Sequence, residues 1–223
     1  MHNKQVMIKE LFECEGFVKQ FFEKYSYPWE ILPNINKFIL EVIQKGLPGY
    51  KEIQKGVIAG KNVNIHPSVH IDGPAVIGSG TCLRIGAFIR GSVIIGENCV
   101  VGNSTELKNC ILLNNVQIPH YNYVGDSILG NHAHMGAGSV CSNLKNDGRS
   151  VVVHGESDYN TGLRKVGAFL GDGADIGCNC VLNPGTVIGK NTFVYPLCSI
   201  RGVFAKNCIV KSNNNVIERQ IQQ

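Results

Sequence analysis

Aliphatic residues fall on every sixth position over two stretches of the chain. The first runs through Ile65, Ile71, Ile77, Leu83, Ile89, Ile95, Val101, Leu107 and Leu113. The second runs through Leu170, Ile176, Leu182, Ile188, Val194 and Ile200. Two residues before each stands a small or β-branched residue, as at Ala75, Ala87, Cys99, Thr105, Ala174, Cys180 and Cys198. A glycine often follows the aliphatic, as at Gly78, Gly96, Gly102, Gly177 and Gly189. A period of six matches neither an amphipathic helix nor a long alternating strand. It predicts an all-β solenoid in which each hexad is one side of a triangular coil. Three sides make a coil of about 18 residues, and parallel coils stack about 4.8 Å apart. The aliphatic points inward, the small residue fits beside it, and glycine relieves crowding at the corner.

The count slips after Leu113. Position 119 is a proline, and Ile118 takes the inward place one residue early. Val124, Leu129 and Met135 then follow after six, five and six residues. The stretch "PHYNYVGD", Pro119 to Asp126, is therefore expected to be a corner pulled out of register, re-aiming His120 and Tyr123.

Residues 1–60 carry no hexads. Ile8, Leu11, Phe12, Phe17, Val18, Phe21 and Phe22 have roughly helical spacing, and a second helix is expected from Asn34 or Asn36 to about Gln44, stopped by Gly46. This segment is expected to be an N-terminal helical cap on the open lower end of the solenoid. The solenoid occupies 61–205. Residues 142–165 interrupt it with a turn at Asn146–Gly148 and a strand in "SVVVH", an excursion placed to carry binding groups. Residues 206–223 read as a C-terminal tail.

Composition adds exclusions. A net charge of +4 is too mild for nucleic-acid binding, and no basic run or aromatic cluster accompanies it. No apolar run reaches the length of a membrane span. Nine cysteines with no CxxC pair and no secretory signal point to reduced, buried thiols in the cytoplasm rather than disulfides or structural zinc.

The stretch 101–138, "VGNSTELKNCILLNNVQIPHYNYVGDSILGNHAHMGAG", resembles the acetyltransferase half of the bifunctional enzymes that make UDP-N-acetylglucosamine. Those carry VGN-x-x-E-x-K, then H-x-x-Y-x-GD, then an IGAG-like turn. The stretch is closer still to short sugar-phosphate nucleotidyltransferase-like proteins that keep the same repeat. The resemblance covers about residues 60–205, and the N-terminal segment also resembles the short group. It implies a left-handed parallel β-helix, a handedness opposite to the usual crossover. It further implies an acetyl-CoA-dependent N-acetyltransferase acting on an amino-sugar phosphate such as glucosamine-1-phosphate, assembled as a homotrimer with active sites between subunits.

Residue by residue, the resemblance implies His120 as general base and Glu106 as the carboxylate supporting it. Arg90, Lys108 and Tyr123 would grip the sugar phosphate, with Arg84 the lesser candidate. A loop cation, Arg149, Arg164 or Lys165, would complete that grip. Ala137, Cys178 and Pro196 fall at acetyl-CoA positions. His134 stands where the family has a sugar-binding asparagine, and Asn143 is followed by Leu144 where the family has tyrosine. The chemistry suits these types: an imidazole titrates near neutral pH, and two cations on one face fit a phosphate dianion.

Three other readings remain. A nucleotidyltransferase would need a Gly-rich nucleotide loop, which residues 1–60 lack. A metal enzyme would draw on His120, His132 and His134. A non-catalytic trimer that binds a sugar nucleotide would keep the fold and lose the chemistry.

Overall fold

From Val57 to Ser212 the chain winds through short parallel strands that stack in three sheets, the flat sides of a left-handed parallel β-helix of about nine coils. The structure is a computed structural model and describes residues 4–219. The first side stacks Val57–Ala59, Ala75–Ile77, Val93–Ile95, Cys110–Leu112, Ile128–Leu129, Ala168–Leu170, Thr186–Ile188 and Val203–Phe204. The second includes Val100–Asn103, Gln117–His120, His134–Met135 and Asp175–Ile176. The third includes His70–Asp72, Phe88–Arg90, Glu106–Lys108, Tyr123–Gly125 and Val140–Cys141.

The hexad aliphatics fill the prism. Ile77, Ile89, Ile95, Val101, Leu107, Ile118, Val124 and Leu129 are fully buried in one core with the small residues beside them. Thr81 and Thr105 also sit inside, and each satisfies its hydroxyl on a carbonyl of the coil above, Gly96 at 2.8 Å and Ile118 at 3.2 Å. Glycines after the aliphatics serve stacking more than turning. A Cβ on Gly78 would run into the carbonyl of Gly96 in the next coil. The corners turn instead through residues with positive φ, often asparagine, as at Asn98, Asn109, Asn115 and Asn179.

Leu113 departs from the expected count. Leu112, paired with Ile95, is the inward residue, and Leu113 lies in the outer cluster. The first short side is therefore Leu107 to Leu112, turning at Asn109, and the second is Val124 to Leu129, turning at Asp126. Both belong to the same corner, stacked one coil apart, since Asp126 N–H bonds the Lys108 carbonyl at 2.9 Å. The corner at His120 is regular: Ile118 and Val124 are both inward. Of the two expected five-residue steps, the first therefore lies one side earlier, between Leu107 and Leu112, and the second stands where expected, between Val124 and Leu129.

The N-terminal segment forms short helices at Ile8–Leu11 and Lys19–Phe22 and a longer one at Ile35–Lys45, which ends at Gly46 with φ 75°. Its strand Lys51–Gln54 pairs antiparallel with Val57–Ala59 at the foot of the first side, but the helical part does not cover the lower end. It lies along the first side, burying Trp29, Ile31, Ile35 and Ile39 against the outward residues Ile58, Val76, Ile94, Ile111, Ile128, Phe169 and Val187. The reason is the apolar outer row of that side, which a helical layer must cover. Asp172 pins the segment: its carboxylate accepts from Glu13 N–H at 2.8 Å and pairs with Lys190 at 3.0 Å.

The excursion contains the expected strand, Val152–His154, in an antiparallel hairpin with Asp158–Asn160. Val151 and Val153 join the outer cluster. The β-helix also runs past the expected limit near 205. Cys208–Ser212 adds another rung to the second side, and Asn215–Glu218 folds back on it antiparallel.

Candidate active site

One edge of the prism, where the second side turns into the third, gathers His120 and the residues expected at the acyl-donor positions. Each corner residue with positive φ donates its N–H to the preceding coil. Tyr121 bonds Asn103 O (2.8 Å), Gly138 bonds His120 O (3.1 Å), Asn179 bonds Ala137 O (2.8 Å) and Leu197 bonds Cys178 O (2.9 Å). Asn103, His120, Ala137, Cys178 and Pro196 therefore climb this edge in one column. The structure brings together His120 and all three residues expected at the acyl-donor positions.

His120 is exposed, and its ring makes no hydrogen bond among the described residues. Its backbone is held firmly. His120 N–H donates to Asn122 Oδ1 at 3.1 Å, and the buried Asn122 amide donates to the carbonyls of Gly136 (2.8 Å) and Ser139 (3.1 Å) in the next coil. Sequence reasoning passed over Asn122. An amide in the interior of a corner between two functional candidates was the signal available. One coil above His120, Ala137 N–H has no partner among the described residues and remains a free donor beside the imidazole's column.

Past the corner, the third side presents two outward rows. One stacks His70, Phe88, Glu106 and Tyr123, and the other Asp72 and Arg90, with Lys108 next in register. Glu106 does not support His120 as expected. Its carboxylate takes Arg90 Nη1 at 2.6 Å, because both side chains project from the third side while His120 ends a strand of the second. The hydrogen bond that Arg90 donates to Glu106, then the Glu106 charge, with lesser pulls from Tyr123 and Asp72, hold the guanidinium above its ordinary pKa.

At the doubly shortened corner, Asp126 is buried and gathers Asn109 (2.9 Å), Asn143 (2.6 Å) and Lys108 (3.4 Å). Asn143 also donates to Tyr123 Oη at 3.1 Å. Burial, followed by the Asp126 charge, raises the Tyr123 hydroxyl, so it stays protonated and able to donate. Asp126 thus fixes Lys108 and Asn143 directly and Tyr123 through Asn143. Asp126→Ala strands two amides and an ammonium in a partly buried corner and is expected to cost about 2 kcal/mol, read as a lowered urea midpoint. An unchanged midpoint would show that the network carries no load.

The remaining candidates divide. Arg164 and Lys165 line an open cleft of about 520 Å³ with Asp126 and Asn109, while Arg149 does not line it and donates its backbone N–H to Asp147. His134 sits on the second side at the end far from the corner, tied to Asp175 at 2.7 Å. Among the described residues no group of three His, Cys, Asp or Glu is placed to hold a metal ion, so His120, His132 and His134 do not form a ligand set. None of the nine cysteines is paired, and Cys178 is the exposed one. No helix among the described residues is long and apolar enough to cross a membrane.

The family model described as the GMPPB C-terminal domain matches residues 53–161. The bifunctional protein GlmU of Methanocaldococcus jannaschii is 33% identical over 207 residues, covering 87% of this chain and 48% of that protein. The bifunctional sugar-1-phosphate nucleotidylyltransferase/acetyltransferase of Sulfurisphaera tokodaii is 32% identical over 202 residues, covering 84% of this chain and 47% of that protein. The chain spans about half the length of the relatives it matches. Among solved structures, Arabidopsis UDP-N-acetylglucosamine acyltransferase aligns at a TM-score of 0.46 with 12% identity, over 74% of this chain and 65% of that one.

Proposed function

This hexapeptide-repeat β-helix is a homologue of the C-terminal domain of the bifunctional GlmU proteins, and on that premise we propose that it transfers an acetyl group from acetyl-CoA to the amine of a phosphorylated amino sugar. The observation that carries the reading is the single column of His120, Ala137, Cys178 and Pro196, flanked by Arg90, Lys108 and Tyr123 on the adjoining side.

The thioester would lie along the upper part of that column. The edge suits it: Ala137 adds little bulk, and Gly136 and Gly177 bring successive coils so close that a Cβ would meet the backbone of Cys178 and Pro196. Lys108 and Arg90 take the phosphate, which shares Arg90 with Glu106, and Tyr123 donates to the sugar. His120 removes the proton from the amine nitrogen as that nitrogen forms its bond to the carbonyl carbon. The carbon–sulfur bond breaks with its electron pair on sulfur, and His120 returns the proton there, leaving free thiol and amide. The free Ala137 N–H is placed to meet the charge growing on the carbonyl oxygen. Glu106 acts through Arg90 rather than through the imidazole. The same edge exposes Ile85, Tyr121 and Leu197, at 53%, 61% and 78%, apolar surface suited to a homotrimer seam.

Purified protein given acetyl-CoA and glucosamine-1-phosphate is expected to release thiol and form the amide. Absence of release with every phosphorylated amino sugar tried sinks the reading. A second measurement isolates the donor site. Burial pushes the thiols of Cys99 and Cys141 up to about 12, whereas Cys178 stands open on the column. Cys178 is therefore expected to be labelled early by a thiol reagent and to be shielded by acetyl-CoA. Labelling that acetyl-CoA does not slow would move the donor off this edge.

A further inference from the structure

Below the reaction corner, the third side continues for two more coils with side chains that a single phosphate does not use. We infer that this stretch binds a nucleoside diphosphate, so that the acceptor is an amino sugar carried on a nucleoside diphosphate; the orientation of that acceptor rests on the function proposed above.

The rows change character from coil to coil. Coil by coil from the corner come Tyr123, then Glu106 with Lys108, then Phe88 with Arg90, then His70 with Asp72 at the foot. From Tyr123 to His70 the span is on the order of 14 Å at the usual coil spacing. That is far more than a sugar phosphate needs and enough for a diphosphate and a nucleoside. Two cations on successive coils match two successive phosphates.

Phe88 decides the next group. It projects outward from its strand, in a row shared with His70, Glu106 and Tyr123, and it is only partly covered. Its neighbours are the edge of His70, 5.4 Å away and tilted 61°, and the Arg90 guanidinium, 5.8 Å from the ring centre. Nothing in the coil requires an aromatic side chain at that outward place, since the core-facing residue there is Ile89. A partly exposed ring flanked by a guanidinium is a stacking platform for a base.

Asp72 gives the ladder its lower end. Its carboxylate is half exposed and held by His70 Nε2 at 3.0 Å. It repels phosphate and accepts from hydroxyls, which suits a ribose diol next to the stacked base. Down the side the chemistry is thus a donor hydroxyl, a cation, a second cation beside an aromatic ring, and a carboxylate, with Glu106 holding the second cation. It fits a sugar, two phosphates, a base stacked beside the second cation and a ribose at the foot, a folded-back nucleoside.

The test uses the full chain and two readouts. Calorimetry measures binding of UDP and of glucosamine-1-phosphate. Thiol release from acetyl-CoA measures turnover of UDP-glucosamine and of glucosamine-1-phosphate. UDP is expected to bind the wild type, and Phe88→Ala to weaken it about tenfold or more, with Phe88→Tyr restoring it. The ratio of kcat/KM for the nucleotide-linked over the simple acceptor is expected to fall by a similar factor in Phe88→Ala and to recover in Phe88→Tyr. No UDP binding, or equal loss for both acceptors, overturns the subsite even if glucosamine-1-phosphate is acetylated. UDP binding that depends on Phe88 without turnover of any acceptor supports the subsite and removes the acetyltransferase reading.

Discussion

His120→Ala is expected to abolish most acetyl transfer, lowering kcat by about a hundred- to ten-thousandfold, while the protein stays folded. The imidazole hydrogen-bonds nothing among the described residues, so its removal leaves none of their buried groups unpaired. Stability is expected to change by less than about 0.5 kcal/mol, as for other exposed substitutions. The corner itself is held by backbone and by Asn122, neither of which the substitution touches. Acetyl-CoA should therefore still shield Cys178 in the variant, because Ala137, Cys178 and Pro196 keep their places on the edge. A loss of turnover with intact shielding and an unchanged unfolding midpoint separates a chemical role from a structural one. Equal turnover in the variant and the wild type would show that His120 is not the base.

Glu106→Gln distinguishes the two roles open to that carboxylate. With Glu106 bonded to Arg90, its loss acts on how the phosphate cation is held, so a change confined to KM follows the observed pairing. A fall in kcat matching that of His120→Ala would instead restore the expected link to the imidazole.

The period of six was legible because its physical cause repeats: one inward aliphatic per side, over many coils. Its phase was misread where the sequence offers three aliphatics in a row. Ile111, Leu112 and Leu113 let the count continue to Leu113, although Asn109 had already shortened the corner and made Leu112 the inward residue. A composition that satisfies two registers hides the change between them. The placement of the N-terminal segment was readable in a signal left unused. The middle residues of the first-side triplets, Val76, Ile94 and Ile111, are apolar although they point out. The third side has Phe88, Arg90, Glu106 and Lys108 in its outward places. A side apolar on both surfaces needs a cover, whereas a charged one is free for ligand. The resemblance supplied His120, Ala137, Cys178 and Pro196 one by one, but not that they share an edge, because a shortened side and the excursion make the steps between them unequal. Nor did it supply the partner of Glu106, because side-chain direction within a coil depends on which strand ends where.

Gly102→Ala is expected to be the most damaging single-methyl change near the site, costing about 3 kcal/mol or more. Gly102 lies directly beneath Pro119, and a Cβ there would overlap the Pro119 carbonyl oxygen and carbon. These are backbone atoms of the next coil, so no rotamer change relieves the overlap. The coils must separate, and the strand pairs Val101–Ile118 and Asn103–His120 stretch with them. Relief by sliding is also blocked, because Thr105 ties the lower coil to Ile118 O and Asn122 ties the upper coil to Gly136 and Ser139. The lost stability should therefore appear together with a lost catalytic geometry, since the lifted backbone is the one that carries His120. Thermal or urea unfolding reads the first and thiol release the second. Gly46→Ala serves as the comparison: its φ of 75° strains an alanine, but a Cβ there meets nothing within 4 Å. It is expected to cost about 1 kcal/mol. If Gly102→Ala costs no more than Gly46→Ala, the close stacking beneath His120 does not bear on stability.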